Sequence, residues 1–193
     1  MEAISILTDA EADDVLARRG RAAFPAPPRT FLFPDTLLVR AGAHLRVNGA
    51  RGCEQLVLWG GYPTDRGVVL ASLLMPETEA DWGWVTIPPP EQARIAPWLY
   101  RRGQLLFVES HTHGGRGGKR ATEMSDTDRR YPASTVDGFL TVIVPSYAAR
   151  GVRFREAGVW ECRQGRWDRL PCGDVRRRVR VVSAKEARNA VFT

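Results

Sequence analysis

Within the short stretch Glu109 to Asp128, ESHTHGGRGGKRATEMSDTD, fall two histidines, two serines and four carboxylates. His111 and His113 are separated by one residue, the spacing that turns two side chains to the same side of an extended strand. Imidazoles so placed can meet one ion. A catalytic zinc takes three protein ligands, mostly His with Asp or Glu, and keeps a fourth position for water. The pair therefore asks for one more ligand downstream, and Glu123, Asp126 and Asp128 are the candidates. A zinc held in this way lowers the pKa of a water toward ~7. A carboxylate outside the ligand set must then take the proton and hand it to the leaving group. Glu109, two residues before His111 on the same face, suits that work or the orientation of a histidine through its other ring nitrogen.

Elements of the right kind flank these residues. Leu105-Leu106-Phe107-Val108 is an apolar run of strand length that would deliver both histidines at the end of a sheet. Ser125-Asp126-Thr127-Asp128 reads as the first turn of a helix, capped by the serine and rich in carboxylates. Leu56 to Trp59 and Val68 to Met75 read as strands about a glycine-rich turn, Gly60-Gly61-Tyr62, with Trp84 to Ile87 a third. Gly138 to Val144 is an apolar strand ended by Pro145, and Val152 to Phe154 a segment that could pair nearby. Val159 to Cys162 and Trp167 to Leu170 read as a hairpin across Gln164-Gly165. Three further helices are expected. The first follows the capping-box pattern Thr8-Asp9-Ala10-Glu11 and ends near Gly20. The second is capped by Asp35, places Leu37, Leu38, Ala41 and Leu45 on one face and ends at Asn48-Gly49. The third runs from Glu91 to Arg102, kinked by Pro97. Pro25, Pro27 and Pro28 read as a stiff connector, His44 as a helix-surface residue, and the tryptophans mostly as core or interface bodies. Strands alternating with few helices imply an α/β domain with a mixed sheet.

His111-Thr112-His113 followed by Ser125-x-x-Asp128 resembles the H-[ST]-H…S-x-x-D signature of the JAMM metalloproteases, also called MPN+ or JAB domains. Glu54-Gln55-Leu56-Val57-Leu58-Trp59-Gly60-Gly61 resembles the family's E-x-x-x-x-x-G element, and the order of strands and helix behind it is similar over roughly residues 35 to 160. The resemblance implies a cytidine-deaminase-like mixed sheet flanked by helices, with Zn2+ bound by His111, His113 and Asp128. It implies Glu54 as the general base and Ser125 as a donor to the scissile carbonyl, a contribution of ~3 kcal/mol in comparable sites. The implied reaction is hydrolysis of the isopeptide bond between a ubiquitin-like C-terminus and a lysine. Small bacterial members of the family accompany ubiquitin-like conjugation systems linked to antiphage defence. Two other readings are maturation of a ubiquitin-like precursor and a metal-free MPN-type scaffold. The chain departs from the pattern at Gly114, where a proline is common, and in the long segment from Gly114 to Met124. That segment carries Arg116, Lys119 and Arg120, basic side chains that would meet acidic groups on a ubiquitin-like partner while the backbone holds its extended tail.

A chain of 193 residues with 44% hydrophobic content suits one domain with short extensions. The expected division is an N-terminal acidic helix and Pro-rich connector (1–30), a JAMM/MPN-like domain (31–172) and a basic C-terminal tail (173–193). The formal net charge of +6 is local: residues 163–193 hold nine Arg and Lys against three Asp and Glu, and the rest balances. Arg176-Arg177-Arg178-Val179-Arg180 comes without an aromatic platform or a nucleic-acid motif, so a solvated tail or a contact to an acidic protein is expected rather than nucleic acid. Cys53, Cys162 and Cys172 are odd in number and lack CxxC spacing, which argues for reduced thiols in a cytoplasm. Glu2, Asp9, Glu11, Asp13 and Asp14 exclude the charge pattern of a signal peptide, and no apolar run is long enough to span a bilayer.

Overall fold

Long runs of Val, Leu and Ile bounded by glycine and proline form the middle of a sheet covered on both faces, where strands need not alternate with polar residues. The computed structural model describes residues 1–20, 29–114 and 120–192. In chain order these form β1 (Glu2–Ser5), α1 (Asp9–Arg19), β2 (Phe31–Pro34), α2 (Asp35–Gly49), β3 (Leu56–Thr64), β4 (Gly67–Met75), β5 (Glu79–Asp81), β6 (Trp84–Thr86), α3 (Pro89–Arg101) and β7 (Leu105–Thr112). There follow α4 (Asp126–Arg130), β8 (Leu140–Val144), β9 (Gly158–Arg163), β10 (Arg166–Arg169), α5 (Cys172–Arg178), β11 (Val179–Val182) and α6 (Ala184–Phe192), with short 3-10 turns at Arg120–Thr122 and Ser146–Ala148. Among the described residues one mixed sheet has the order β10-β9-β8-β7-β3-β4-β2-β11, with β1 also paired to β4, and β5 and β6 make a separate hairpin.

Alternation along the strands divides the core. Val68 and Leu70 of β4, with Val57 and Trp59 of β3, pack with Leu37, Ala41 and Leu45 of α2. Val69 and Ala71 face the other way, against Val15 of α1 and Ala187 and Val191 of α6. On that second face Leu56 and Leu58 of β3 meet Ile95 and Leu99 of α3. The sheet therefore has α2 on one side and α1, α3 and α6 on the other, three layers that bury the apolar strands completely.

The capping box of α1 forms as expected: Thr8 Oγ1 accepts the Glu11 N–H and the Glu11 carboxylate accepts the Thr8 N–H. The hairpin of β9 and β10 turns at Gln164 and Gly165, both with positive φ. Several expectations are corrected. Gly60-Gly61-Tyr62 is no turn; it lies inside β3, at an irregularity in its pairing with both neighbours. A Cβ at Gly61 would sit 2.2 Å from the Val69 carbonyl oxygen and one at Gly60 2.3 Å from Leu99 Cδ2, so these glycines mark close approach within a bulged strand. Asp35 is the first residue of α2 behind Pro34 rather than its cap, and its carboxylate accepts backbone N–H groups of Thr36 and Ala184, joining α2 to α6. Val152 to Phe154 forms no strand, although both residues pack against the α2-side core. Trp84 to Thr86 pairs with β5 and stays off the main sheet. Residues 173–192 of the segment expected as a solvated tail fold into α5, β11 and α6, and β11 pairs parallel with β2. Trp59, Trp160 and Trp167 are buried, whereas Trp82 and Trp84 are exposed. His44 is half-buried and its pKa is lowered by burial. Pro25, Pro27 and Pro28 lie outside the described residues.

Candidate metal centre

Register places the site. In the antiparallel pairing of β3 with β7, Leu58 stands opposite Glu109 and Leu56 opposite His111. One step on, the Gln55 N–H donates to Thr112 Oγ1 at 2.9 Å and the Thr112 N–H donates to the Gln55 carbonyl at 2.9 Å. Continuing that register brings Glu54 opposite His113, so Glu109, His111, His113 and Glu54 share the face of the sheet that carries Leu56 and Leu58. On the other edge β7 runs parallel to β8 as far as Thr112 and Val144, and the His113 N–H donates to the Val144 carbonyl at 3.0 Å. The site thus lies at the carboxyl ends of two parallel strands, where α/β sheets commonly bind ligands.

The third component arrives on α4. Ser125 caps that helix with Asp128 as its reciprocal partner: the Asp128 N–H donates to Ser125 Oγ at 3.1 Å and the Ser125 N–H to Asp128 Oδ2 at 2.7 Å. Asp128 Oδ1 then lies 3.5 Å from His111 Nε2, Asp128 Oδ2 lies 3.3 Å from His113 Nε2, and the two Nε2 atoms are 3.1 Å apart. Taking one donor atom from each residue, all three lie within 4.8 Å of one another, close enough to hold a single ion. Among the described residues, this is the cluster of His, Cys, Asp and Glu with metal-holding geometry. Of the candidate third ligands, Asp126 is exposed and Glu123 pairs with Arg169; Asp128 is the one that reaches the histidines.

The donor set also asks for a cation. His111 Nδ1 is 2.7 Å from Glu109 Oε1, so its proton lies toward that carboxylate and Nε2 presents a lone pair. That lone pair faces a second imidazole nitrogen and a carboxylate, an arrangement that repels unless something positive sits among them. Without metal that charge is a proton: burial opposes the charged imidazole, but hydrogen bonds and charges from Asp128 and Glu109 outweigh it, and the pKa of His111 is pushed up to about 10. Burial alone would raise Asp128, yet its contacts with His111 and His113 hold it far below the usual carboxylate range. Glu109 is anchored in turn, its other oxygen accepting the Ala133 N–H at 3.2 Å.

Glu54 is buried beside this cluster, 6% exposed, with its backbone N–H bonded to the Asp81 carbonyl. Burial pushes its pKa up to about 7, with the His111 charge pulling it down and Asp128 pushing it further up. Arg116 and Lys119 lie outside the described residues, and Arg120 begins the turn Arg120–Thr122.

One participant has no signature in the sequence. Ser146, Tyr147 and Ala148 follow Pro145 with φ of 54°, 50° and 56°, three successive left-handed residues without a glycine. Each such residue costs roughly 1–2 kcal/mol, strain that persists only where the surroundings impose it. Here the Tyr147 N–H donates to the His113 carbonyl at 3.1 Å and the Tyr147 hydroxyl to the Trp82 carbonyl at 3.2 Å. The phenol lies over Gly114, where a Cβ would come within 2.5 Å of its oxygen, so glycine after the second histidine is what this ring requires.

No protein-family model matches the chain. It is 29% identical over 160 residues, 80% of its length and 96% of the relative's, to a protein of Sinorhizobium fredii (strain NBRC 101917 / NGR234) described as "Probable metalloprotease y4jG". Among solved structures it is similar to protein DSY2949 from Desulfitobacterium hafniense, determined in solution. The TM-score is 0.53 with 14% sequence identity, over 80% of this chain and 94% of that one, a likeness of fold alone.

Proposed function

We propose that this protein is a metal-dependent amide hydrolase of the JAMM type, with Zn2+ held by His111, His113 and Asp128. The observation that carries the reading is the convergence of two imidazole nitrogens and a carboxylate within reach of one ion, with Glu109 fixing the tautomer of one ring. The likeness to a relative described as a probable metalloprotease supports a metal-dependent hydrolase. When bound, the metal supplies Lewis-acid chemistry, making a water acidic enough to attack an amide carbon near neutral pH.

The chain's own groups supply the rest. The Glu54 carboxylate takes the proton of the attacking water and delivers it to the nitrogen of the leaving amine. In the metal-free chain burial pushes its pKa up to about 7, and a cation nearby would favour the ionised form that takes the proton. Ser125 spends a lone pair on the Asp128 N–H and keeps its hydroxyl hydrogen free to donate to the carbonyl oxygen of the substrate. Glu109 holds the proton of His111 on Nδ1. The substrate class is the extended C-terminal tail of a ubiquitin-like protein, joined to a lysine or to a C-terminal extension, and the compartment is a reducing cytoplasm. The three free cysteines support that compartment. Among the described residues no helix is long and apolar enough to cross a membrane.

The test pairs metal analysis with turnover. One zinc per chain is expected, with cleavage of a ubiquitin-like fusion or conjugate. Glu54→Gln should keep the metal and lose about 10²- to 10⁴-fold in kcat. A wild-type chain that takes up no metal, as a scaffold would, overturns the reading.

A further inference from the structure

Beside the metal centre, between α3, the β5–β6 hairpin and the sheet, lies a cavity of about 630 Å³, a size that suits bound organic groups. Leu56 and Leu58 line it from β3, and Ile87 and Ile95 from the hairpin's exit and α3; His111 and Asp128 close one end. We propose that this cavity is a specificity pocket for an apolar side chain, aliphatic or aromatic, carried by the substrate within one or two residues of the bond that is cut. The proposal rests on the hydrolase reading above and adds what that reading leaves open, the kind of residue next to the scissile bond.

Continuity fixes the occupant. Because His111 and Asp128 belong both to the cavity and to the metal centre, whatever fills the cavity is attached close to the reacting amide. The carboxylates that line it are Glu109 and Asp128, both already turned to the histidines. The other polar side chains of the lining, Thr86, Gln92 and Thr127, are neutral, so a charged side chain would lose its water there without gaining an opposite charge. A glycine would leave the leucine and isoleucine walls wet. The rim carries Trp84 and Tyr131, 43% and 74% exposed, large aromatic faces of the kind that anchor a bound chain. The apolar residue stands on one side or the other of the scissile bond, next to the amide that the metal centre would hold. Filling the pocket with Leu or Phe in place of Gly should raise kcat/KM about 10- to 100-fold.

Two readouts on the full-length, zinc-loaded protein test this. In the first, acetyl-Gly-Phe-amide and acetyl-Gly-Gly-amide are titrated while the methyl resonances of Ile87 and Ile95 are followed. Saturable shifts are expected with the Phe probe only. In the second, a peptide series varies the residues on both sides of the scissile bond, and Phe or Leu should be preferred at one of them. Ala96 lines the cavity from an exposed position of α3, so Ala96→Trp fills it from the rim and should erase both the shifts and the preference. Trp84→Ala, also exposed, provides an independent variant and should weaken the Phe probe severalfold. Equal shifts from both probes, a preference for Gly or charged residues, or a preference that survives both variants overturns the pocket. Binding at Ile87 and Ile95 without turnover of any peptide or of a ubiquitin-like fusion would instead sink the hydrolase reading and leave the pocket standing.

Discussion

Replacing Glu54 by glutamine removes the proposed base, and the structure implies that it also stabilises the metal-free protein. The Glu54 carboxyl has its pKa raised from 4.5 to about 7 by burial. A carboxyl more easily protonated in the folded state than in the unfolded one contributes fully below pH 4.5 and is a growing cost as pH rises toward 7. At about 1.4 kcal/mol per pH unit, the interval amounts to about 3 kcal/mol once the group is ionised in both states. Glutamine does not titrate, so Glu54→Gln should exceed the wild type in stability by under about 1 kcal/mol at pH 5 and about 3 kcal/mol at pH 8. For a chain of this length that corresponds to a rise in Tm of about 6–12 °C at the higher pH. Urea unfolding of chelator-treated protein at several pH values measures the difference directly, and titrations common to both chains cancel. Adding zinc should shrink the advantage at pH 8, because a nearby cation favours the ionised carboxylate. A difference that stays flat between pH 5 and pH 8 would refute the burial argument, and with it the tuning assigned to Glu54.

Metal analysis should find one zinc in the wild type and little in His113→Ala or Asp128→Ala, whereas Glu109→Gln should keep the ion at about 10- to 100-fold weaker affinity. Full occupancy in all of them would show that the ligand set lies elsewhere. Gly61→Ala should cost about 1–3 kcal/mol in urea unfolding, since its Cβ would strike the Val69 carbonyl. Gly173→Ala, in a helix with nothing within 4 Å, should instead be neutral or stabilise by about 0.5–1 kcal/mol.

What the sequence made legible is what is local. The separation of His111 from His113 is a property of any strand, and the Ser125 cap is a property of the first helical turn, so both survive in the structure. The short strands β1, β2 and β11 had no readable signal, because EAIS, FLFP and VRVV owe their conformation to partners far along the chain. The glycines at 60 and 61 suggest a turn when read locally; their cause, the Val69 carbonyl and the Leu99 side chain, comes from β4 and α3. Arg178 sits in a run of arginines that reads as solvated charge, yet its guanidinium is bonded to the fully buried carboxylate of Glu161, which Arg163 also meets. Burial of that acid would alone raise its pKa, but the two guanidiniums hold it low. A buried charge with its partner inside the fold cannot be told from a surface run by composition.

Ser125 and Asp128 show why a structural and a catalytic account of one motif need not compete. An S-x-x-D spacing makes a helix cap, and the cap commits Asp128 Oδ2 to the Ser125 N–H before any ion arrives. The carboxylate rotamer is thereby fixed by a contact that the helix needs in any case. His111 is treated in the same way by Glu109 through Nδ1, and His113 by two backbone bonds, to Val144 on one side and from Tyr147 on the other. Each proposed ligand is thus held by a different element: the β7 strand itself, the strained turn after β8, and the first turn of α4. An ion that binds here would meet the His111 and Asp128 side chains already held and the His113 backbone already fixed, which lowers the entropy lost on binding. The same logic explains why Tyr147 tolerates a left-handed backbone: its N–H and hydroxyl join His113 to the β5–β6 hairpin, coupling the second histidine to a wall of the apolar cavity.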